Sequence, residues 1–524
     1  MTTDRALGFS SLESEVSTTL PVEGDMPTWL SGTLIRNGPG TFAVGDREVG
    51  HWFDGLAMLH AFSFGTGGEE GGEQEGNGNS KLKYRNRFLE TDSYRATQAG
   101  EFAGGFATGE TTLRDRLKAF VIGEPYDNTN IVAERVGKKY VALTETPRWV
   151  EFDPDSLETL GDVQYSGPKP SGQLACAHTQ RDPWTGKLVT FEIEFGRRSA
   201  YHVYEMGAPG RREHVVSIPV EEPGYMHSFA LTPRFVVLTE FPLVVDPARA
   251  LKPGKQGPFI ENFEWKPDRG TRFFVIDRER GEVIAAPRTD AFFGFHHINA
   301  YEANGSDADD RELVIDVETV PDAEALGAAS LSDLREGEME IPGGRIERFR
   351  VRIHGRANAT IDRTEIYGGA TGLPTVSPAR WCRKYRYAYA QGADQPMTDW
   401  PKALVKVDLE SGEVAEFTDE GNYLGEPIFV PRPDSDADEK DGSGENGGSG
   451  TDRKDDRRDR FPVRSGGREL AEDEGVVLSV ALDTEAEHSW LLVLDGESFT
   501  ERARAPIPHA IPFDFHGRYF PELS

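Results

Sequence analysis

The sequence has little cysteine, no long apolar run and few lysines, and each shortage excludes a class of protein. Cys176 and Cys382 are the only cysteines among 524 residues, which excludes a disulfide framework and a four-cysteine zinc site. No apolar run approaches the roughly 18 residues of a membrane span. Residues 1–16 lack the basic start and apolar stretch of a secretory signal. We therefore predict a cytoplasmic protein, and peripheral contact with a membrane surface stays open.

Positive charge is also in short supply. The chain has 58 Lys and Arg against 89 Asp and Glu, a net charge of −31, and only 15 of its basic residues are lysines. Acidic excess with little lysine is typical of proteins kept soluble in concentrated salt, where charge repulsion is screened within about 3 Å at 1 M. The composition predicts a halophilic, haloarchaeal host; an acidic mesophilic protein is the alternative. Without a basic stripe, nucleic acid is not an expected partner.

Short strand patterns, separated by turns rich in Asp and Gly, recur along the whole chain. The clearest apolar, β-branched runs are residues 130–145, 187–196, 234–245, 271–286, 403–417 and 489–505. Turns such as DRERGEVI and DLESGEVA suit hairpins, because Asp caps the local backbone and Gly tolerates positive φ. Repeated hairpins with few helices predict an all-β fold, a β-propeller or, second, a stacked sandwich. Because the spacing of these hairpins along the chain is irregular, the number of blades does not follow from the sequence.

We predict one domain over residues 1–524, interrupted by an acidic insertion at 431–471. The insertion is nearly free of apolar residues, which predicts a mobile loop, and strand-like sequence resumes at residue 472. The clearest helical pattern is residues 111–123, with Leu113, Leu117 and Phe120 on one face. Such a helix packs on its own core or docks on a membrane surface.

Four of the twelve histidines lie at strand entrances with aromatic or apolar neighbours: His178, His227, His296 and His516. A propeller brings such positions toward its central axis, and imidazoles suit iron, zinc, copper or nickel. In GFHHINAYE, adjacent strand residues point to opposite faces, so only one of His296 and His297 can enter a common site.

Two glutamates lie among apolar residues, Glu145 in ALTETPRW and Glu426 in GEPIFVP. A buried carboxylate is unfavourable unless it is hydrogen-bonded. Accepting the second N–H of a metal-bound imidazole satisfies that need and orients the ligand. The alternative for each is a surface or salt-bridged strand residue.

Several segments, in this order, resemble the carotenoid cleavage dioxygenases, also called carotenoid oxygenases. The similarity extends through nearly the whole chain. It is carried by LSGTLIRNGPGTF (30–42), HWFDGLAMLHAF (51–62), NTNIVAERVGKKYVALTET (128–146), AHTQRDPWTGKL (177–188), MHSFALT (226–232), FHHINAYE (295–302), RYAYAQG (386–392), GEPIFVPRP (425–433) and FHGRYF (515–520).

The resemblance implies a seven-bladed propeller with a cap of loops and helices over the active-site face. It also implies a non-haem Fe(II) on the axis, held by His178, His227, His296 and His516, the histidines of the matched motifs. The family pattern F-H-x-x-N-A-x-E has its ligand directly after Phe, which leaves His297 as an ordinary neighbour. By the same resemblance, Glu145 should orient His227, and Glu426 should orient His516.

One position departs from the family pattern. A third glutamate normally precedes a Phe-Pro or Leu-Pro pair before RYxY, and here Gly372 takes its place in TGLPTVSP. We therefore expect His296 to be held by water, by a backbone carbonyl or by another carboxylate such as Glu365. Arg36 to Gly40 (RNGPG) is expected to form a structural turn, because Gly and Pro favour turns.

Two threonines complete the set of candidate site residues. Thr144, with Glu145 and Thr146, matches the TET motif of the β-carotene and retinoid branch of the family. Thr129 falls where many microbial members place a hydroxyl or methyl group close to an open iron position. We hold both as candidate catalytic-site residues.

The resemblance implies oxidative cleavage of a conjugated double bond by dioxygen, giving aldehyde or ketone products such as retinal from a hydrophobic carotenoid or apocarotenoid. The alternatives are a stilbene-type olefin dioxygenase, for which a Tyr–Lys pair in the pocket would speak, and a retinoid isomerase. A carotenoid-binding propeller without catalysis is a further alternative, and Gly372 is its main support. The oligomeric state does not follow from the sequence.

Overall fold

The computed structural model describes most of the chain. The described residues are 4–65, 81–100, 127–166, 171–246, 259–303, 310–336, 339–355, 358–433 and 470–523. The predicted helix at 111–123 lies outside them, as does most of the predicted insertion at 431–471. Within these ranges, no helix has the length and apolar character needed to span a membrane.

The described residues form strands almost throughout, with a few short helices. The α-helices are α1 (Asp92–Gln98), α2 (Glu324–Gly327) and α3 (Leu331–Glu336). Single 3-10 turns lie at Asp4–Phe9, Trp52–Asp54, Phe259–Asn262, Pro267–Arg269 and Pro378–Arg380. The strands, in chain order, are β1 (Ser17–Leu20), β2 (Glu23–Gly24), β3 (Gly32–Thr41), β4 (Ala43–Val44), β5 (Arg47–Glu48), β6 (Leu56–Gly65), β7 (Lys81–Phe88), β8 (Val132–Val136), β9 (Lys139–Leu143), β10 (Val150–Phe152), β11 (Thr159–Asp162), β12 (Leu174–Ala175), β13 (Gln180–Arg181), β14 (Leu188–Glu194), β15 (Ser199–Ala208), β16 (Arg211–Val220), β17 (Ala230–Leu231), β18 (Phe235–Glu240), β19 (Leu243–Val245), β20 (Phe263–Trp265), β21 (Thr271–Asp277), β22 (Glu282–Ala285), β23 (Arg288–Thr289), β24 (His297–Glu302), β25 (Asp310–Thr319), β26 (Gly344–His354), β27 (Ala359–Val376), β28 (Tyr387–Ala393), β29 (Ala403–Asp408), β30 (Val414–Thr418), β31 (Asn422–Leu424), β32 (Ile428–Pro431), β33 (Gly475–Asp483), β34 (His488–Asp495), β35 (Glu501–Pro506) and β36 (His516–Phe520).

Antiparallel pairing assembles these strands into six larger sheets within the described ranges. Their orders are β1-β7-β6-β3-β36, β11-β10-β9-β8, β12-β14-β15-β16, β17-β18-β21-β22, β24 through β30 in sequence, and β2-β35-β34-β33-β31. Most neighbours in a sheet are also neighbours in the chain, as in the predicted all-β fold of hairpins. Two sheets join the ends of the described chain, because β36 pairs with β3 and β35 pairs with β2.

The strand patterns have a clear packing origin. Every residue of β18, FVVLTE, is buried, because sheets pack on both of its faces. Its partner β21 ends in one of the predicted hairpin turns, where Asp277 Oδ1 accepts the backbone N–H groups of Glu279 and Arg280. Gly281 follows with a φ of +62°, a conformation that favours glycine. The hairpin predicted at DRERGEVI is therefore confirmed.

The prediction of a turn at Arg36 to Gly40 is wrong. These residues lie in the middle of β3, a fully buried strand paired with β6 on one side and β36 on the other. Glycine serves a close approach here, since a Cβ on Gly38 would lie 2.5 Å from the Cα of Asp514. The motif thus allows a central strand to touch the segment that leads into β36.

Candidate metal centre

Four histidines from four different sheets meet at one point of the fold. His178 lies in the bend between β12 and β13, and His227 lies three residues before β17. His296 directly precedes β24, and His516 is the first residue of β36. Each side chain therefore projects from the start of a strand, and the four meet where these sheets converge.

The distances between the four imidazoles suit a single ion. One nitrogen of each ring lies within 4.8 Å of the corresponding nitrogen of every other ring. The ring centroid of His178 lies 4.5 Å from that of His227, 5.1 Å from that of His296 and 4.4 Å from that of His516. Among the residues that the structure describes, this is the one group of three or more His, Cys, Asp or Glu side chains that could bind a common metal ion.

The chemistry of the donors fits a metal as well. The Nε2 atoms of His178 and His296 are buried and have no hydrogen-bond partner within the described residues. A buried polar nitrogen without a partner is unfavourable unless something outside the protein binds it. Burial and the three neighbouring imidazoles hold the pKa of His178 well below its usual range. Burial lowers the pKa of His516 to about 4, although Glu426 opposes this effect. His178 and His516 are thus neutral, the form that binds metals.

Glu145 lies behind His227. The Nδ1–H of His227 donates to Glu145 Oε1 at 2.6 Å, which leaves the other ring nitrogen, Nε2, for the cluster. The hydroxyl of Tyr225 donates to the same oxygen at 2.8 Å. Tyr225 is a contact that sequence reasoning missed, although its place two residues before His227 on an extended segment puts it on the same face.

Glu426 takes the same place behind His516. His516 Nδ1–H donates to Glu426 Oε1 at 2.7 Å, and the backbone N–H of Gly517 donates to Oε2 at 2.7 Å. Arg36 donates to Oε2 as well, at 3.0 Å. Burial opposes ionisation of this carboxyl, but His516, Arg36 and the Gly517 N–H outweigh it and lower its pKa. The group therefore remains a carboxylate.

The partner of His296 is Glu318, a residue that the sequence analysis did not name. Glu318 Oε2 accepts the Nδ1–H of His296 at 2.7 Å. Gly344 makes room for this side chain, since a Cβ at that position would lie 2.3 Å from the Cγ of Glu318. The expectation that Glu365 serves here is wrong, because Glu365 lies on the exposed part of β27 and pairs with Arg345 at 3.1 Å.

The geometry of one hairpin explains why Glu318 faces His296. Strands β24 and β25 pair with His297 opposite Val317, and the backbone N–H of Glu318 donates to the carbonyl of His296 at 2.9 Å. The carboxylate thus comes from β25, and Gly372 in β27 does not contribute one.

His297 points away from the cluster into a buried polar pocket. The hydroxyl of Ser228 donates to the carbonyl of Phe295 at 2.6 Å and therefore accepts from His297 Nδ1–H, at 2.8 Å. The other nitrogen, Nε2, accepts from the hydroxyl of Thr239 at 2.8 Å. Burial and the neighbouring His296 lower the pKa of His297 to about 3, so this ring is a neutral structural residue.

The two predicted threonines are both buried, in different surroundings. The backbone carbonyl of Thr129 accepts from the side-chain amide of Asn37 at 2.8 Å, and Asn37 pairs with His516 across the sheet. The hydroxyl of Thr129 is buried without a partner within the described residues. Thr144 directly follows β9 and directly precedes Glu145. Their roles at the metal stay predictions.

Comparison with known proteins now bears on this site. The model of the family described as "Retinal pigment epithelial membrane protein" matches residues 9–521. The chain belongs to this family.

Relatives of the family share most of their length with this chain. A carotenoid cleavage dioxygenase 8 homolog A of Oryza sativa subsp. japonica is 31% identical over 96% of this chain and 85% of its own. A beta,beta-carotene 15,15'-dioxygenase of Gallus gallus is 28% identical over 96% and 95%, respectively. The solved structure of cobalt-substituted Synechocystis apocarotenoid oxygenase is 26% identical, with a TM-score of 0.75 over 98% of both chains.

The predicted family and enzyme class are therefore confirmed: the chain is an oxygenase of the carotenoid cleavage family. Its mostly β fold matches those solved structures, which are β-propellers. The count of seven blades stays a prediction. The four histidines fit the metal site of a metal-dependent dioxygenase.

Proposed function

We propose that this protein is a non-haem Fe(II) dioxygenase that cleaves a conjugated double bond of a carotenoid or apocarotenoid, with retinal among the products. The observation that carries the proposal is the convergence of four imidazoles, three of which donate to glutamates. Four imidazoles suit iron on ligand type, and all three carboxylates accept from the far side of the rings.

In this proposal, His178, His227, His296 and His516 hold the ion, and Glu145, Glu318 and Glu426 orient three of the ligands. Bound ferrous iron supplies the activation of dioxygen. The glutamates behind the rings fix the orientation of three of the imidazoles. We also assign Thr129 to the rim of the open metal position, because its buried hydroxyl lacks a partner within the described residues and its carbonyl is tied to Asn37 beside His516. Thr144 is assigned to support Glu145 as its direct neighbour.

The surroundings of the cluster suit an apolar substrate. The ring of Phe295 stands edge-on to His227, with centroids 5.5 Å apart, and it also contacts Phe293 at 5.0 Å. The hydroxyl of Tyr225, two residues before His227, donates to Glu145. Glu318 supplies the carboxylate expected near His296, which removes the main support for a non-catalytic binding propeller.

The direct test is oxygen consumption by iron-loaded protein in high salt with a panel of carotenoids, apocarotenoids and stilbenes. We expect dioxygen uptake with a polyene and two carbonyl products whose masses together account for substrate plus dioxygen. Products from stilbenes alone would assign the alternative olefin cleavage. Rearranged substrate without oxygen uptake would indicate an isomerase and overturn the proposal.

Removing the metal should abolish the reaction and lower thermal stability together. A ligand bound only by the folded state stabilises it by about 2.7 kcal/mol at 100 times its Kd. We therefore expect the melting temperature to fall after chelation and to recover with either Fe(II) or Zn(II). Oxygen uptake should recover with Fe(II) alone, since zinc has no redox chemistry. Uptake that persists in protein shown to be metal-free would contradict the iron requirement.

We further propose that the chain is a single domain of a cytoplasmic protein in a salt-accumulating, haloarchaeal host. The net charge of −31 supports this proposal. Raising KCl from about 0.1 M to 2 M should raise the melting temperature by several degrees, because salt screens the repulsion between acidic groups. KCl is the salt of choice because sulfate stabilises most proteins by exclusion from their surfaces. A melting temperature that is unchanged or lower in KCl would contradict adaptation to salt.

A further inference from the structure

Arg36 occupies the most deeply buried charged position beside the metal centre. Its side chain has an exposed fraction of 0%, in the middle of β3. Its neighbour across the sheet in β36 is Gly517, the residue that follows His516. A Cβ on Gly517 would lie 3.0 Å from the Nη1 atom of Arg36, so glycine there leaves the guanidinium its space.

The guanidinium bridges two carboxylates. Nε and Nη2 donate to the two oxygens of Asp514 at 2.5 Å each, a two-pronged ion pair. Nη1 donates to Glu426 Oε2 at 3.0 Å. The Asp514 contact fixes the plane of the guanidinium, and Nη1 is thereby aimed at Glu426.

Because of the contact with Arg36, the two carboxylate oxygens of Glu426 have different hydrogen-bond partners. Oε2 accepts from Arg36 and from the backbone N–H of Gly517, and Oε1 is left to accept from His516 Nδ1–H. The other two carboxylates of the centre are held differently. Besides its histidine, Glu145 accepts from the neutral hydroxyl of Tyr225, and Glu318 accepts a long contact of 3.5 Å from the hydroxyl of Thr371. Of these three carboxylates, Glu426 is thus the one that accepts from an arginine among the described residues.

We propose that Arg36 is a positioning residue of the metal centre, which acts on the ligand His516 through Glu426. The inference rests on the proposed metal site, but not on any particular substrate. Arg36 holds the carboxylate of Glu426 in the one orientation in which its free oxygen faces His516. The fixed carboxylate in turn fixes the rotation of the imidazole and the direction of its metal-binding nitrogen.

A matched pair of variants tests this role, with Co(II) as the probe. Arg36→Lys keeps the positive charge, but a single ammonium cannot reach both carboxylates in the geometry of the fork. The control is Arg278→Lys. The Arg278 guanidinium also bridges two carboxylates, Asp182 at 2.8 Å and Glu205 at 2.7 Å, and neither of these contacts a histidine of the cluster.

We expect Arg36→Lys to lower the affinity for Co(II) about tenfold, the lower end of the range for loss of an outer partner. At saturating Co(II), its visible ligand-field spectrum should also differ from that of the parent protein, because His516 is less firmly oriented. Arg278→Lys should lower the melting temperature but leave both the affinity and the spectrum unchanged. An unchanged affinity and spectrum in Arg36→Lys would show that Arg36 is structural only and would overturn the proposal.

A second variant keeps the test decisive if Arg36→Lys does not fold. The pair Arg36→Met with Asp514→Leu replaces the ion pair by apolar side chains, an exchange that is often neutral or stabilising. It leaves Glu426 with His516 and Gly517 alone, and the same loss of affinity and change of spectrum are expected. If the parent protein binds Co(II) in an Arg36-dependent way but cleaves no polyene, the proposed function fails and this inference stands.

Discussion

Replacing His296 by alanine is expected to abolish metal binding and oxygen uptake, whereas the same change at its neighbour His297 should preserve both. The Nε2 of His296 faces the cluster, is buried and has no hydrogen-bond partner in the described part of the chain, and His297 points into the pocket of Ser228 and Thr239. We expect the metal affinity of His296→Ala to fall by more than about 100-fold, beyond the 10–100-fold typical of an outer hydrogen-bond partner. Iron content and oxygen uptake of the two purified variants measure the difference.

His297→Ala serves as the control for this comparison. It leaves the buried hydroxyl of Thr239 without its acceptor, whereas the hydroxyl of Ser228 still donates to the carbonyl of Phe295. We expect the free energy of unfolding to fall by about 1–3 kcal/mol. A loss of iron in His297→Ala with iron retained in His296→Ala would reverse the assignment. Equal loss in both variants, at a temperature where both are folded, would mean that the pair acts as one unit and would contradict a single ligand.

Replacing Glu318 should weaken the metal site although this residue does not contact the metal. With alanine, His296 loses the acceptor of its Nδ1–H at 2.7 Å, and we expect the metal affinity to fall by about 100-fold. Glutamine keeps an acceptor of lower strength, and a loss of about tenfold is expected. Titration of the metal-free protein with Co(II), followed by its visible spectrum, measures both values.

Glu365→Gln is the matched control for Glu318. Glu365 lies on the exposed part of β27, two strands from β25 in the same sheet, and its carboxylate pairs with Arg345 of β26. This variant should bind Co(II) as the parent protein does. Parent-like affinity in Glu318→Ala would show that His296 needs no carboxylate, and the proposed role of Glu318 would be wrong.

Much of the fold and the ligand set could be predicted because each depended on local chemistry or on ordered motifs. The hairpin turn at Asp277 could be predicted because the Asp277 side chain accepts a backbone N–H of the turn and Gly281 adopts a positive φ. The four histidines could be named from the order of the motifs, and the structure brings them within 4.8 Å of one another. Because adjacent strand residues point to opposite faces, the sequence also indicated that only one of His296 and His297 enters the cluster.

Other features depended on tertiary contacts that a motif does not contain. The RNGPG segment has turn-forming residues, but β6 pairs with Arg36 through Pro39 and β36 pairs with Arg36 and Asn37, and these contacts override its local preference. Glu318 stands in an otherwise ordinary strand, VIDVETV, and its role arises only from the register of β24 with β25. The bridge from Arg36 to Asp514 joins residues 478 positions apart, a distance no local pattern spans.

The central claim is that four imidazoles from four sheets hold one iron. X-ray absorption at the iron edge of the fully loaded protein tests it most directly. We expect one iron per chain, with scattering from four imidazole nitrogens at about 2 Å and no sulfur in the shell. Two or fewer imidazoles, or a first shell dominated by carboxylate oxygens, would contradict the account.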